Sequence, residues 1–141
     1  MINKKAILGN INETIVEFPT AKLAKEKGFT EPCYEAYHHA NPSTSFLLTP
    51  RRTLPFSSNI NETHNYDAPT QSQLSDWLRK IYHIYVRVAS NSLTSHFPMI
   101  EILTVDGAKM MGPPYTKNYK TYEEAMEVGL MEALKLINIE K

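Results

Sequence analysis

The second half of the chain carries the clearest alternation of apolar and polar positions. Leu74, Trp77, Leu78 and Ile81 recur at helical spacing behind Thr70 and Gln73, which have the Thr-x-x-Gln spacing of a capping box. One face of that helix must therefore be buried, and Trp77, the only tryptophan, reads as a core anchor on it. In His83-Ile84-Tyr85-Val86-Arg87-Val88 the period changes to two, putting Ile84, Val86 and Val88 on one face of a strand and Tyr85 and Arg87 on the other. After a loop from about Ser90 to Pro98, Ile100 to Val105 gives a second strand. Asp106-Gly107 signals a tight turn into a third, Ala108 to Met111. Gly112-Pro113-Pro114 ends the sheet. Thr121 and Glu124 then cap an amphipathic helix in which Ala125, Gly129 and Ala133 recur every fourth residue, a stripe that allows close approach to the sheet.

The first half is less regular. Ile15 to Phe18 has the character of a short strand. Thr20 then precedes Ala21-Lys22-Leu23-Ala24-Lys25-Glu26-Lys27, good helix formers that stop at Gly28, where a left-handed cap is easiest. The apolar face of this helix, Leu23 and Ala24 with Phe29 beyond the cap, is narrow, which predicts a helix on the surface of the fold. Residues 31–66 are punctuated by Pro32, Pro42, Pro50 and Pro55 and read as irregular and mobile, with one short strand at Phe46-Leu47-Leu48. The expected architecture is a single α+β domain over residues 1–141. Its centre is an antiparallel meander of three strands, or slightly more, packed against two main helices in a unit spanning 67–141, with a short N-terminal helix beside it.

Composition adds mainly exclusions. Fifteen lysines and arginines balance fifteen acids, so no net field draws the molecule toward nucleic acid or an anionic membrane. The lone cysteine, Cys33, cannot form an internal disulfide, the apolar run near the start is too short for a signal peptide, and no stretch approaches the ~20 apolar residues that cross a bilayer. A cytoplasmic protein with no membrane contact is expected. The five glycines form no phosphate-binding fingerprint, and no cofactor is expected.

Two clusters invite chemistry. Cys33-Tyr34-Glu35-Ala36-Tyr37-His38-His39 brings together a thiol, a carboxylate and two imidazoles, so Cys33, His38 and His39 are the candidates for a metal site or an activated thiol. No second ligand pair completes a zinc set, and a polar loop with a packed thiol is the plainer reading. Arg79, Lys80 and Arg87, with Tyr82 and Tyr85 as stacking partners, could contact a nucleic acid or another partner. A helix, three strands and a closing helix is also the element order of double-stranded-RNA-binding domains. Those domains, however, place basic residues at the start of the last helix, where this chain has Glu123 and Glu124.

Thr20 to Phe29 followed by Glu31-Pro32-Cys33, then Ala68-Pro69-Thr70 leading to Trp77-Leu78-Arg79, and last Tyr122-Glu123-Glu124-Ala125 leading to Ala133-Leu134, resemble in order and spacing a loose family of small uncharacterised proteins. That family occurs in bacterial prophages and mobile elements, notably of the Bacteroidetes. The resemblance implies a small cytoplasmic accessory protein and carries over no catalytic residue. The expectation is an interaction protein that binds a protein partner. The groove between the Trp77 helix and the sheet, or the strand face with Tyr85 and Arg87, is the expected contact surface. A weak nucleic-acid-binding protein and a metal- or thiol-dependent enzyme using Cys33 with His38 or His39 stand as alternatives, and a homo-oligomer is left open.

Overall fold

A computed structural model describes residues 4–5, 13–38, 46–50, 65–112 and 117–137. In chain order these form β1 (Lys4–Lys5), β2 (Thr14–Ile15), α1 (Phe18–Glu26), β3 (Glu35–His38), β4 (Leu47–Pro50), β5 (Asn65–Ala68), α2 (Gln71–Tyr82), β6 (Ile84–Ser92), β7 (Ser95–Thr104), β8 (Gly107–Gly112) and α3 (Tyr122–Lys135). The fold is α+β, with one antiparallel three-stranded sheet in the order β6-β7-β8, a second in the order β4-β3-β5, and the small β1-β2 pair. One hydrophobic core runs from Ile15 to Ile137 through both halves.

The unit from α2 to α3 follows the sequence pattern closely. The Thr70 side chain accepts from the Gln73 N–H at 3.0 Å, as an N-cap should. The other half of the expected box is absent, because the Gln73 amide donates instead to the Pro32 carbonyl. His83 ends the helix in the left-handed region, φ 59°, so the strand begins at Ile84 rather than His83. The loop expected from Ser90 to Pro98 is instead the end of a long hairpin: the ladder reaches Ser92 opposite Ser95, with Leu93-Thr94 as the turn. Small polar residues resemble a loop, but here they are held by the ladder and by the Ser90 hydroxyl, 2.6 Å from His96 Nδ1. At the next hairpin the turn is Val105-Asp106, and Gly107, φ 139°, opens β8.

The small-residue stripe of α3 lies against β6 and β7. Ala125, Gly129 and Ala133 are buried, and a Cβ on Gly129 would sit 2.7 Å from Val86 Cγ1 and 3.0 Å from Pro98 Cβ. Trp77, 6% exposed, is held edge-to-face between Phe29 and Tyr82, each 5.3 Å away between ring centroids. Each such pair contributes about 1 kcal/mol beyond its buried area.

Of the expectations for the first half, one is refined and one overturned. The N-terminal helix keeps an exposed face with Lys22 and Glu26, but it is more deeply seated than its narrow apolar face predicts, packed against β5 and α3 with Thr20, Ala21 and Ala24 buried. It also starts earlier than predicted, at Phe18 behind Glu17, with Pro19 in the first turn where its missing N–H does no harm. Thr20, which precedes the run of helix formers, therefore lies inside the helix. The helix ends as predicted at Gly28, φ 99°, with the Gly28 N–H on the Lys25 carbonyl and the Phe29 N–H on the Ala24 carbonyl, the double closure of a Schellman motif.

The segment read as irregular, 31–66, supplies β3, β4 and the beginning of β5, with β3 central. The strand expected at Phe46-Leu47-Leu48 is β4. Cys33 to His38 is not a polar loop but the approach to β3 and β3 itself, where Ala36 and Tyr37 are fully buried. Short pairings between distant residues leave little periodic signal, which is why the sequence does not mark the other two strands. Phe18, Tyr37, Phe46 and Tyr66 fill the space between this sheet and α1, with Phe18 and Phe46 stacked at 4.4 Å. The stretch from Pro55 to Tyr66, rich in Ser and Asn and so expected as a loop, lies almost wholly outside the described residues.

Candidate functional site

An open cleft of about 340 Å3 lies where α2 and α3 both begin. Gln71, Ser72, Ser75 and Asp76 come from the first turns of α2, and Tyr122, Glu123 and Met126 from the first turns of α3. In both helices the three-to-four-residue spacing puts these side chains on one face. Glu13 and Thr14 close the cleft from the β2 side, and Val86 of β6 forms part of its floor.

Its lining is polar and acidic. The Ser72 hydroxyl donates to Glu13 at 2.9 Å, and the Arg79 guanidinium donates to Asp76 at 2.7 Å, holding that carboxyl below the usual aspartate range. Among the residues whose side chains are described, no lysine or arginine pairs with Glu13 or Glu123. Glu123 gains instead from the partial positive charge at the start of α3. Among the residues whose side chains are described, no basic one lines the cleft.

Behind the cleft wall the three helices are tied by one carboxylate. Glu127 is 5% exposed, and its Oε2 accepts from the Glu17 N–H at 2.8 Å and the Thr20 hydroxyl at 2.5 Å. Its Oε1 accepts from the Gln71 side-chain amide at 3.0 Å, and the same amide donates to the Glu123 carbonyl. The carboxylate thus caps the start of α1 from α3 and fixes Gln71, a cleft residue, on α2. A second cavity of about 220 Å3, with mainly apolar walls including Val128 and Met131, lies on the other side of Glu127.

The residues singled out in the sequence are only partly brought together. Arg79 and Tyr85 are neighbours, and Tyr85 and Arg87 share the open face of β6. Each arginine is already compensated: Arg79 by Asp76, and Arg87 by Glu101 across the strand pair. Lys80 is exposed on α2. Tyr82 is no stacking platform, since it packs edge-to-face on Trp77 and its hydroxyl donates to the Lys27 carbonyl at 3.4 Å. A fluorescence titration with duplex RNA should accordingly show no binding that weakens as salt rises; salt-dependent binding abolished by Arg79→Ala and Arg87→Ala would show that this surface is basic after all.

Cys33 is buried, with its thiol donating to the Glu31 carbonyl at 3.5 Å. His38 and Tyr37 are successive strand residues and so face opposite sides of β3, with Tyr37 in the core. His39 lies outside the described residues. No group of three metal-binding side chains occurs among the described residues.

Two buried groups beside Cys33 are structurally constrained. Tyr37 donates to the Val16 carbonyl at 2.7 Å, and burial, reinforced by Glu127, Glu17 and Glu35, raises its phenol well above the usual tyrosine range. Glu35 has an oxygen, Oε2, buried with no hydrogen-bond partner, and burial raises its carboxyl above the ordinary glutamate range. A carboxyl raised on folding favours the folded state fully below its unfolded pKa, and that advantage is lost as pH rises through the folded value. Glu35→Gln should therefore match the parent protein in acid and exceed its stability at neutral pH. Urea denaturation at both pH values checks this, and equal differences at both would contradict it.

Sequence reasoning missed the cleft. Its available signal was the polar spacing Ser72, Ser75, Asp76 on α2, together with Glu123, an acid whose place in the first turn of a helix is already accounted for by the helix dipole. No family model, curated protein or solved structure matches the chain. Among the described residues no helix is long and apolar enough to cross a membrane.

Proposed function

We propose that this chain is a small cytoplasmic accessory protein of a bacterial prophage or mobile element, and that it works by holding a protein partner in the cleft between the starts of α2 and α3. The observation that carries this reading is the cleft itself, an open, preformed concavity whose described walls offer hydroxyls and carboxylates and, among the described side chains, no basic group. Such a lining repels phosphate, so it favours a protein partner over nucleic acid. The buried Glu127 network fixes the wall from behind, which reduces the ordering cost of binding. The sequence resemblance supports the mobile-element setting.

In-cell photo-crosslinking tests the reading. A benzophenone side chain replacing Ser75, in the cleft, is expected to give a discrete adduct that the same group at Lys22, on the exposed face of α1, does not. Adducts of the same identity and yield from both positions, or from neither, would overturn it.

A further inference from the structure

Resting on that reading, we infer that the partner enters as an extended, lysine- or arginine-bearing segment that adds as a fourth strand to the outer edge of β6. β6 pairs only with β7 among the described residues, and none of these lies in a strand along its other edge. Which groups lie on that edge follows from the register. The Leu103 N–H donates to the His83 carbonyl at 3.0 Å, and the strands pair Ile84 with Ile102, Tyr85 with Glu101 and Arg87 with Met99. In an antiparallel ladder, directly bonded pairs alternate with unbonded ones. Hence His83, Tyr85 and Arg87 bond to β7, while Val86 and Val88 point their N–H and C=O groups outward. Pro98, opposite Val88, fits this pattern, because its missing N–H falls on the side away from β6.

An open strand edge is a template for strand addition, with main-chain bonds supplying affinity and side-chain surroundings supplying selectivity. Here the surroundings are the cleft. Val86 forms part of both the strand and the cleft floor, so alternate side chains of an added strand would project on the face that holds Glu13, Asp76 and Glu123. Glu13 and Glu123 have no cationic partner among the residues whose side chains are described, and their charges select basic side chains at those alternate positions. The same charges disfavour a second copy of this chain, which would bring its own acidic cleft to the same edge.

The test uses the intact protein and three capped eight-residue peptides: alternating Lys-Val, alternating Glu-Val, and the Lys-Val peptide N-methylated at alternate residues on the edge that meets β6. The Lys-Val peptide is expected to bind at least about tenfold more tightly than the Glu-Val peptide, to weaken with salt, and to protect the Val86 and Val88 amides from hydrogen exchange. N-methylation should abolish that protection. Glu13→Gln with Glu123→Gln should reduce the preference for lysine while leaving the unfolding midpoint in place. Binding that perturbs Gln71 and Ser75 but leaves Val86 and Val88 unprotected overturns strand addition and keeps the cleft as the site. Protection that grows with protein concentration in the absence of peptide makes a second copy the occupant and overturns the basic partner. Equal or absent binding of the Lys-Val and Glu-Val peptides also overturns the inference, whereas the crosslinking experiment, which assumes no peptide chemistry, decides the broader reading.

Discussion

Glu127→Ala is expected to destabilise the protein by about 4 kcal/mol, the largest effect of any single change to its buried polar side chains. The carboxylate is nearly inaccessible and accepts from three donors on α1 and α2. Truncation would leave the Glu17 N–H, the Thr20 hydroxyl and one bond of the Gln71 amide without their acceptor, and would open a void where three helices meet. Each buried group left unsatisfied costs about 1–3 kcal/mol, so the loss is a sum over donors. Glu127→Gln should cost less, about 2 kcal/mol, since its oxygen can still serve Glu17 and Thr20 while its NH2 meets the Gln71 amide unfavourably. In a domain of this size the alanine change corresponds to a fall in Tm of roughly 10 °C or more. A stability within about 1 kcal/mol of the parent would mean that α1 and α2 are held by packing alone.

Gly129→Val is expected to cost about 3 kcal/mol by overpacking. A Cβ there already falls inside contact distance of Val86 Cγ1 and Pro98 Cβ. Neither neighbour gives way easily, because a valine in a strand is stiff at χ1 and the proline ring is fixed. The further methyls of valine have no room at this crossing. Gly129→Ala separates the two opposing effects, since alanine regains about 1 kcal/mol of helix propensity while meeting the same contact. A net loss from the alanine change confirms steric control, and a net gain would show that α3 can move away from β6 and β7. Equilibrium unfolding of the two variants gives both answers.

How much of the molecule is legible in its sequence depends on whether a feature is local. The capped helices and the alternation in β6 and β7 are properties of neighbouring residues: Thr70 and Thr121 accept the N-cap bonds that their positions predict, and the Ala125-Gly129-Ala133 stripe lies against the sheet. β3 is opaque because it contains Glu35 and His38 among its four residues and gains its partners only when β4 and β5 arrive from elsewhere in the chain. Thr20 resembles a cap because it is a threonine before a helical run. It is drawn instead to Glu127, 107 residues away, which no local pattern marks. The cleft is hidden for the same reason: β2, α2, β6 and α3 each contribute part of it, and its acidic residues look like ordinary capping and surface charges until they converge.

The working surface proposed for this protein stands or falls on the charge of that cleft. The decisive measurement is the affinity of the cleft-crosslinked partner for the parent protein and for a Glu13→Lys, Glu123→Lys double variant, by calorimetry at physiological salt. Both residues line the cleft, so the change should leave the core intact and the unfolding midpoint within a few degrees. Partner affinity is expected to fall by at least about tenfold, with the remaining binding less sensitive to salt. Equal affinity for the two proteins, with both fully folded, would contradict the claim that this cleft is the working surface of the molecule.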